Sequence, residues 1–198
     1  CENNRDERSR YLLVENRKVE NYVDMALYYA RMDAVYKDYM IAETNLQEVA
    51  QQVLLQNKYY LIQSHVKAEV ACPDTVYSDK KWIAFILNQL IQNSVKYGRS
   101  EGTHIQIVTK KTKSGVLLRV KDDGIGIPKE EIPRIFEKGF TGTNGRNRER
   151  STGMGLYLCR KLCDKLNIEI RAESAEGKGT EIILMFPVSD YLTGYRET

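Results

Sequence analysis

The sequence predicts a two-layer α/β sandwich, a mixed sheet backed by helices, with one long N-terminal helix in front of it. Three observations predict this. Residues 5–36 carry an apolar seam at helical spacing, unbroken by Gly or Pro. From residue 37 onward, amphipathic helical stretches are interleaved with short apolar runs that alternate with period two. Two of those runs, Ile105–Val108 and Val116–Val120, flank Lys113-Ser114-Gly115 and so read as a hairpin.

In the first 36 residues Leu12, Val19 and Ala26 recur every seven positions, with Tyr22, Val23, Tyr29 and Ala30 on the same stripe. Charges fill the other positions, and a seam this narrow asks for a helical partner or a second copy. The plainer expectation is packing on its own domain. Partnering is preferred, because the residues that follow suffice for a compact domain: a helical segment over 1–36 and an α/β domain over 37–198.

The second segment reads in order. Lys37–Ala42 is a short strand. Thr44 or Asn45 caps a helix whose face is Leu46, Val49, Ala50, Val53 and Leu54, with Glu48 as the capping-box acid. Leu61 to Val70 reads as a strand, and Thr75–Tyr77 as another. Ser78 or Asp79 caps a helix over 80–97. After the hairpin come Asp122-Asp123-Gly124-Ile125-Gly126-Ile127-Pro128, a short helix from Glu130 to Phe136, and a loop over 139–152 rich in Gly, Asn and Arg. Such a loop in a compact domain suggests a lid. A helix from Thr152 to Leu166 and strands at Ile168–Ala172 and Thr180–Phe186 complete the pattern.

Bulk properties narrow the function. The 198 residues carry a net charge of only +3, which gives no global basic field for nucleic acid. The longest apolar run, Trp82 to Leu87, cannot span a bilayer, and residues 1–10 are too polar for a signal peptide. A chain beginning with Cys1 is expected to be a fragment. Its four cysteines form no disulfide framework and read as reduced, with Cys159 and Cys163 as buried thiols on one helix face rather than a metal site.

Four motifs carry chemistry. On the helix over 80–97, Gln89, Asn93 and Lys96 share a face. Amide oxygens suit Mg²⁺, and a lysine one turn on suits a phosphate. Asp122 stands where a strand runs out, and a carboxylate there can accept from the amino group of a purine. Gly124 and Gly126 remove side chains where a flat ligand approaches. Gly153 and Gly155 open a helix whose free N–H groups favour a phosphate chain. Arg146, Arg148 and Arg150 lie in the loop between. Taken singly, each has a bland alternative: a solvated stripe, an Asp-Gly turn, an ordinary basic loop.

In this order and spacing the four resemble the catalytic ATP-binding domain of sensor histidine kinases, in the GHKL ATPase superfamily. Residues 88–97 resemble the N box, 122–128 the G1 box, Ile135 to Phe140 the F box and 152–156 the G2 box. The resemblance covers roughly 37–188 and implies a histidine-kinase-type ATP-binding fold with ATP and Mg²⁺ as cofactors. It assigns the metal to Asn93 and Gln89 and the adenine to Asp122. It adds Lys96, Tyr97, Gly124, Gly126, Ile127, Phe136, Thr152, Gly153, Met154, Gly155, Leu156 and Thr180 to the nucleotide site. Lys96, Arg148 and Arg150 take the catalytic roles.

The chain departs from the family at Gln89, where these kinases usually have Asn, at Asp123 (usually Asn) and at Ser151 (commonly Gly). The hydrolysing relatives carry Glu at the position of Gln89, and an amide cannot take a proton from water. The N-terminal helix, Glu20 to Arg31 above all, resembles the second dimerisation helix of intramembrane-sensing kinases of Firmicutes. That resemblance implies a homodimer, a response regulator and possibly a peptide-antibiotic ABC transporter as partners, and the cytoplasmic domain of a cell-membrane protein. Neither His65 nor His104 sits in a phosphoacceptor context. A hydrolysing ATPase, an anti-sigma serine kinase and a non-catalytic nucleotide-binding module remain as alternatives.

Overall fold

The computed structural model describes residues 39–143 and 152–188, together with residues 12, 16, 19, 23 and 25–28 of the N-terminal helix. Strand β1 (Ala42–Asn45) leads into helices α1 (Leu46–Gln56) and α2 (Lys58–Gln63). Strands β2 (Val66–Ala71) and β3 (Thr75–Ser78) precede the long helix α3 (Lys80–Lys96). Strands β4 (Thr103–Thr112) and β5 (Gly115–Asp122) form the expected hairpin. A 3₁₀ turn at Ile132–Arg134, helix α4 (Gly155–Lys165), and strands β6 (Glu169–Ser174) and β7 (Thr180–Pro187) follow.

The main sheet runs β2-β4-β5-β7-β6, with β2 parallel to β4 and the other pairs antiparallel. It is the mixed sheet of the predicted sandwich, and β1 and β3 pair separately. Alternate residues of the inner sheet face, among them Ile105, Ile107, Leu118, Val120, Ile170 and Leu184, are buried against the helices. The opposing layer supplies Leu46, Val49 and Val53 from α1, Ile83, Ile86, Leu87, Leu90 and Ile91 from α3, and Leu158 and Leu162 from α4. Asn45 caps α1 by accepting from the Glu48 N–H at 3.1 Å, and Asp79 caps α3 by accepting from Lys81 N–H at 2.9 Å.

Three boundaries differ from expectation, each for a local reason. Leu61 belongs to a helix, not to a strand: the Asn57 side chain donates to Val53 O and Asn88 Oδ1, both at 2.8 Å, and the helical bonding restarts with Leu61 N–H to Asn57 O. The strand begins only at Val66. The first strand is Ala42–Asn45, where β3 offers a pairing edge in register Ala42 to Ser78. The short helix after the G1 stretch shrinks to a 3₁₀ turn holding Pro133, with three-residue bonds from Arg134 N–H to Glu131 O and Glu137 N–H to Arg134 O.

The N-terminal helix is both exposed and anchored. Leu12, Val19 and Val23 are exposed. Tyr28, by contrast, packs its ring on Trp82 and Phe85 of α3 at centroid distances of 4.8 and 4.5 Å. Cys159 and Cys163 are fully buried in α4, and burial pushes the Cys163 thiol up to about 12. Among the described residues, no helix is long and apolar enough to cross a membrane.

Candidate functional site

A cavity opens between α3, the end of β5, the start of β7 and the turn before α4. Its base is set by Asp122, where β5 ends. The carboxylate is held from three sides. Oδ2 accepts from Ser94 Oγ of α3 at 2.9 Å, and Oδ1 accepts from Gly124 N–H at 3.0 Å and Thr180 N–H at 3.2 Å. Burial pushes its pKa above the ordinary aspartate value. The three hydrogen bonds pull against that shift, and the neighbouring charge of Asp123 adds to it.

The backbone around Asp122 leaves no room for side chains. A Cβ at Gly124 would stand 2.6 Å from the Tyr97 carbonyl oxygen, and Ile125 N–H donates to that same oxygen at 3.0 Å. Gly126 has φ +70°, and a Cβ there would fall 2.0 Å from Ala175 O. The loop is tied to the β6–β7 turn: Gly177 N–H donates to Ile125 O at 2.7 Å, Ile127 N–H to Ser174 Oγ at 2.9 Å, and the Arg99 guanidinium to both Asp123 O and Gly177 O. Asp123 itself is exposed and accepts from His104 N–H at 2.8 Å, so it pins β4 rather than facing the cavity.

The opposite end is made of α3 and the turn before α4. Asn93, Lys96 and Tyr97 line it, with the Lys96 ammonium 5.9 Å from the Tyr97 ring centre. Gln89 is 5% exposed, so the polar stripe of α3 is a cavity wall and not a solvated face. Its Oε1 would sit only 2.9 Å from a Cβ at Gly155, the first residue of α4. Gly153 has φ +65°, which keeps the helix from starting before Gly155, and accepts from Gly139 N–H at 3.1 Å. Across the mouth, Glu131 accepts from Thr143 N–H and Oγ at 2.9 and 2.6 Å.

Most residues expected from the sequence converge here. Gly126, Ile127 and Thr180 join Asp122 at the base end, and Thr152, Gly153, Gly155 and Leu156 line the other. Gly124 lies behind the lining. Phe136 packs against the core and Met154 is not in the lining, whereas Phe140 and Ile135 are. Arg148 and Arg150, like Ser151, lie outside the described residues. Sequence reasoning missed Ser94. A lone hydroxyl among Leu87, Leu90 and Ile91 was the available signal, since a buried polar group wants a partner. It also missed Glu131, Tyr60 and Met25.

The donor set fits a Mg²⁺-bound nucleotide. Among the described residues no cluster of three His, Cys, Asp or Glu side chains could hold a metal alone. Amide oxygens at Gln89 and Asn93 suit a hard cation that takes its remaining ligands from water and phosphate. The carboxylates lining the cavity, Asp122 and Glu131, are both engaged by N–H and O–H donors, which leaves neither as a free base at the α3 end.

This fold and cavity define an ATP-binding domain of the two-layer kind. Residues 78–190 match the family model for histidine kinase-, DNA gyrase B-, and HSP90-like ATPases, and the chain belongs to that family. The sensor histidine kinase YxdK of Bacillus subtilis is 34% identical over 174 residues, covering 87% of this chain and 54% of that protein. The sensor protein kinase GraS of Staphylococcus aureus is 36% identical over 189 residues, covering 93% and 53%. The chain thus spans about half the length of the curated relatives it matches. The catalytic domain of the histidine kinase ThkA superposes with a TM-score of 0.64 at 26% identity, over 75% of this chain and 97% of that domain. ThkA in complex with the response regulator TrrA superposes with a TM-score of 0.66 at 23% identity, over 90% and 50%.

Proposed function

We propose that this chain is the ATP-binding catalytic part of a sensor histidine kinase and transfers a phosphoryl group from Mg-ATP to a histidine outside this sequence. The observation that carries the reading is the placement of Asp122 at one end of the cavity and Asn93, Gln89 and Lys96 at the other. Bound ATP would supply the transferable phosphoryl group, and Mg²⁺ held by Asn93 and Gln89 would balance its charge.

Asp122 would accept a hydrogen bond from the adenine amino group, with its orientation fixed beforehand by Ser94, Gly124 and Thr180. Gly124 and Gly126 let the base lie against bare backbone. Asn93 and Gln89 would hold the cation through their amide oxygens, and the N–H groups of the first turn of α4 would take phosphate oxygens. Lys96 would neutralise charge that builds up on transfer. Arg148 and Arg150, outside the described residues, would take the catalytic roles that the resemblance implies. Gln89 has no proton-accepting carboxylate, which favours transfer to a side chain over hydrolysis.

His104 lies against Glu69 at 3.2 Å, and His65 sits in a left-handed turn before β2. Neither lines the cavity, which supports an acceptor elsewhere. The names of YxdK and GraS support the kinase class, and the ThkA complex supports a response regulator as the next carrier. The exposed Leu12, Val19 and Val23 support a homodimer through the N-terminal helix. Location on the cytoplasmic side of a cell membrane, and pairing with an ABC transporter, rest on the likeness of that helix alone.

Titration with a fluorescent ATP analogue tests the reading, with and without Mg²⁺. Saturable binding is expected, tighter with Mg²⁺ and weakened by Asp122→Ala. Phosphate transfer in trans to a separately made histidine-bearing helix domain is the second expectation. Unsaturable binding, or indifference to Asp122→Ala, overturns it.

A further inference from the structure

The family match begins at residue 78, yet two residues from before it, Met25 and Tyr60, line the cavity. Tyr60 comes from α2. Met25 comes from the N-terminal helix, one turn before Tyr28, the residue seated on Trp82 and Phe85. That seat is well made. The Tyr28 ring meets Phe85 nearly edge-on at 77° and Trp82 at 56°, and the Lys81 ammonium lies 5.9 Å from the Tyr28 ring centre and 5.6 Å from that of Trp82. Tyr39 also packs on Trp82, with ring centres 5.9 Å apart.

Positions on α3 give the direction of the coupling. Trp82, Phe85, Gln89 and Gln92 step along the helix at three- and four-residue spacing, from the aromatic seat into the cavity wall. On the N-terminal helix, Tyr28 meets the start of that row and Met25 reaches the cavity bordered by its end. The aromatic seat thus lies outside the cavity lining, and the methionine one turn away lies within it.

We propose that the Met25–Tyr28 turn is a working wall of the nucleotide cavity, clamped by Trp82 and Phe85, so that nucleotide occupancy and docking of this helix end strengthen each other. The proposal rests on the nucleotide reading of the cavity. An apolar thioether in the wall of the cavity that Gln89 and Asn93 also line reduces the water around charged ligand atoms there, and electrostatic contacts gain strength. Linkage is reciprocal: a helix end that improves nucleotide affinity is itself held more firmly when nucleotide is bound. Tyr28 acts through position alone, and Met25 forms the wall.

The chain contains a reporter for this coupling. Trp82 is its single tryptophan and is not in the cavity lining, so a nucleotide can alter its emission only through the helices that surround it. The experiment titrates the 198-residue chain with Mg-ATP while following Trp82 emission, and measures affinity independently by calorimetry. The wild type is expected to show a saturable change in emission with the calorimetric midpoint. Tyr28→Ala is expected to weaken binding by about three- to tenfold, the size of a lost aromatic pair, and to abolish the emission change. Tyr28→Phe keeps the ring and restores both. Met25→Asp weakens binding, whereas Leu27→Ala, on the exposed side of the same turn, does not. Melting curves identify any variant that is simply unfolded. Unchanged affinity in Tyr28→Ala and Met25→Asp, or a silent Trp82 at saturating nucleotide, overturns the coupling. Wild-type affinity in Asp122→Ala together with a weakened Tyr28→Ala would instead overturn the base-readout role and leave the coupling standing.

Discussion

The two ends of the cavity are built on opposite plans. Around Asp122, the carboxylate is held by a serine hydroxyl and two backbone N–H groups, and further backbone bonds join α3, the G1 loop, β6 and β7 into one tied unit. At the other end, side chains of α3 face a turn that, among the described residues, is tied back by the Gly139 N–H to Gly153 O bond. A site for a base of fixed shape can be preformed. A site for a phosphate chain and its cation has to admit and release charge, and looser anchoring serves that.

The largest effect should come from filling the tied end. Gly126→Ala puts a Cβ 2.0 Å from Ala175 O at φ +70°, in a loop fixed by three hydrogen bonds. The expected loss is about 3 kcal/mol or more of folding stability, read as a shift in the urea midpoint. Gly153→Ala is equally strained locally, with φ +65° and 2.3 Å to the Gly139 carbonyl carbon. Gly139, however, is exposed and can yield, so the loss there should be nearer about 1–2 kcal/mol. Equal losses would break the contrast between the ends.

Asp122→Asn should come next, with opposite signs on binding and stability. Asn keeps an acceptor for the Gly124 and Thr180 N–H groups but loses the charge that, in the proposed role, would grip an amino group of the base. Mg-ATP affinity should fall by about ten- to a hundredfold. The folded-state pKa of Asp122 is raised above its unfolded value, chiefly by burial. Between the two values the folded chain holds more protons, so this group's contribution to stability falls as pH rises through that window. At neutral pH the charged carboxylate is therefore a burden, and the Asn variant should melt no lower than the wild type. By the same shift, nucleotide binding should be lost on acidification at a pH above the ordinary aspartate range. A lower melting temperature for Asp122→Asn would break this account.

What the sequence disclosed follows the same division. Asn45 and Asp79 were readable as caps because capping is local, and Asp122, Gly124 and Gly126 because a strand end and a tight loop leave their mark within seven residues. The sheet order was not readable, because no short-range pattern fixes which strand lies beside β5. Leu61 was misplaced because the helix restart at Asn57 depends on Asn88, 31 residues away. The role of Ser94 was hidden for a like reason, since its partner is 28 residues on. The methionine at the cavity edge had no local signal at all: Met25 is not among the stripe residues that the seven-residue spacing picks out.

Ser94→Ala should have a smaller effect than the loss of the carboxylate it serves. Ser94 is 5% exposed, and removal of its hydroxyl leaves Oδ2 of Asp122 with one donor fewer. Affinity should drop by a few-fold, in line with about 0.5–1.5 kcal/mol for one hydrogen bond. Because the Ser94 bond lowers the Asp122 pKa, its loss should move the acid limb of binding to higher pH. An unmoved limb would show that Ser94 serves packing alone.

Gly155→Ala should be the mildest. A Cβ there meets only the Oε1 of Gln89, at 2.9 Å, and that atom ends a side chain able to swing away. Alanine in the first turn of α4 also gains intrinsic helix preference over glycine, up to about 1 kcal/mol at an interior position. The two effects oppose, so folding stability should change by no more than about 0.5 kcal/mol. Gln89, though, is the amide that this Cβ displaces. Mg²⁺ titration at fixed ATP should therefore show weaker metal dependence in Gly155→Ala while its melting temperature stays put. Retained metal dependence would place the cation on Asn93 without help from Gln89, and would make the loosely anchored end looser still.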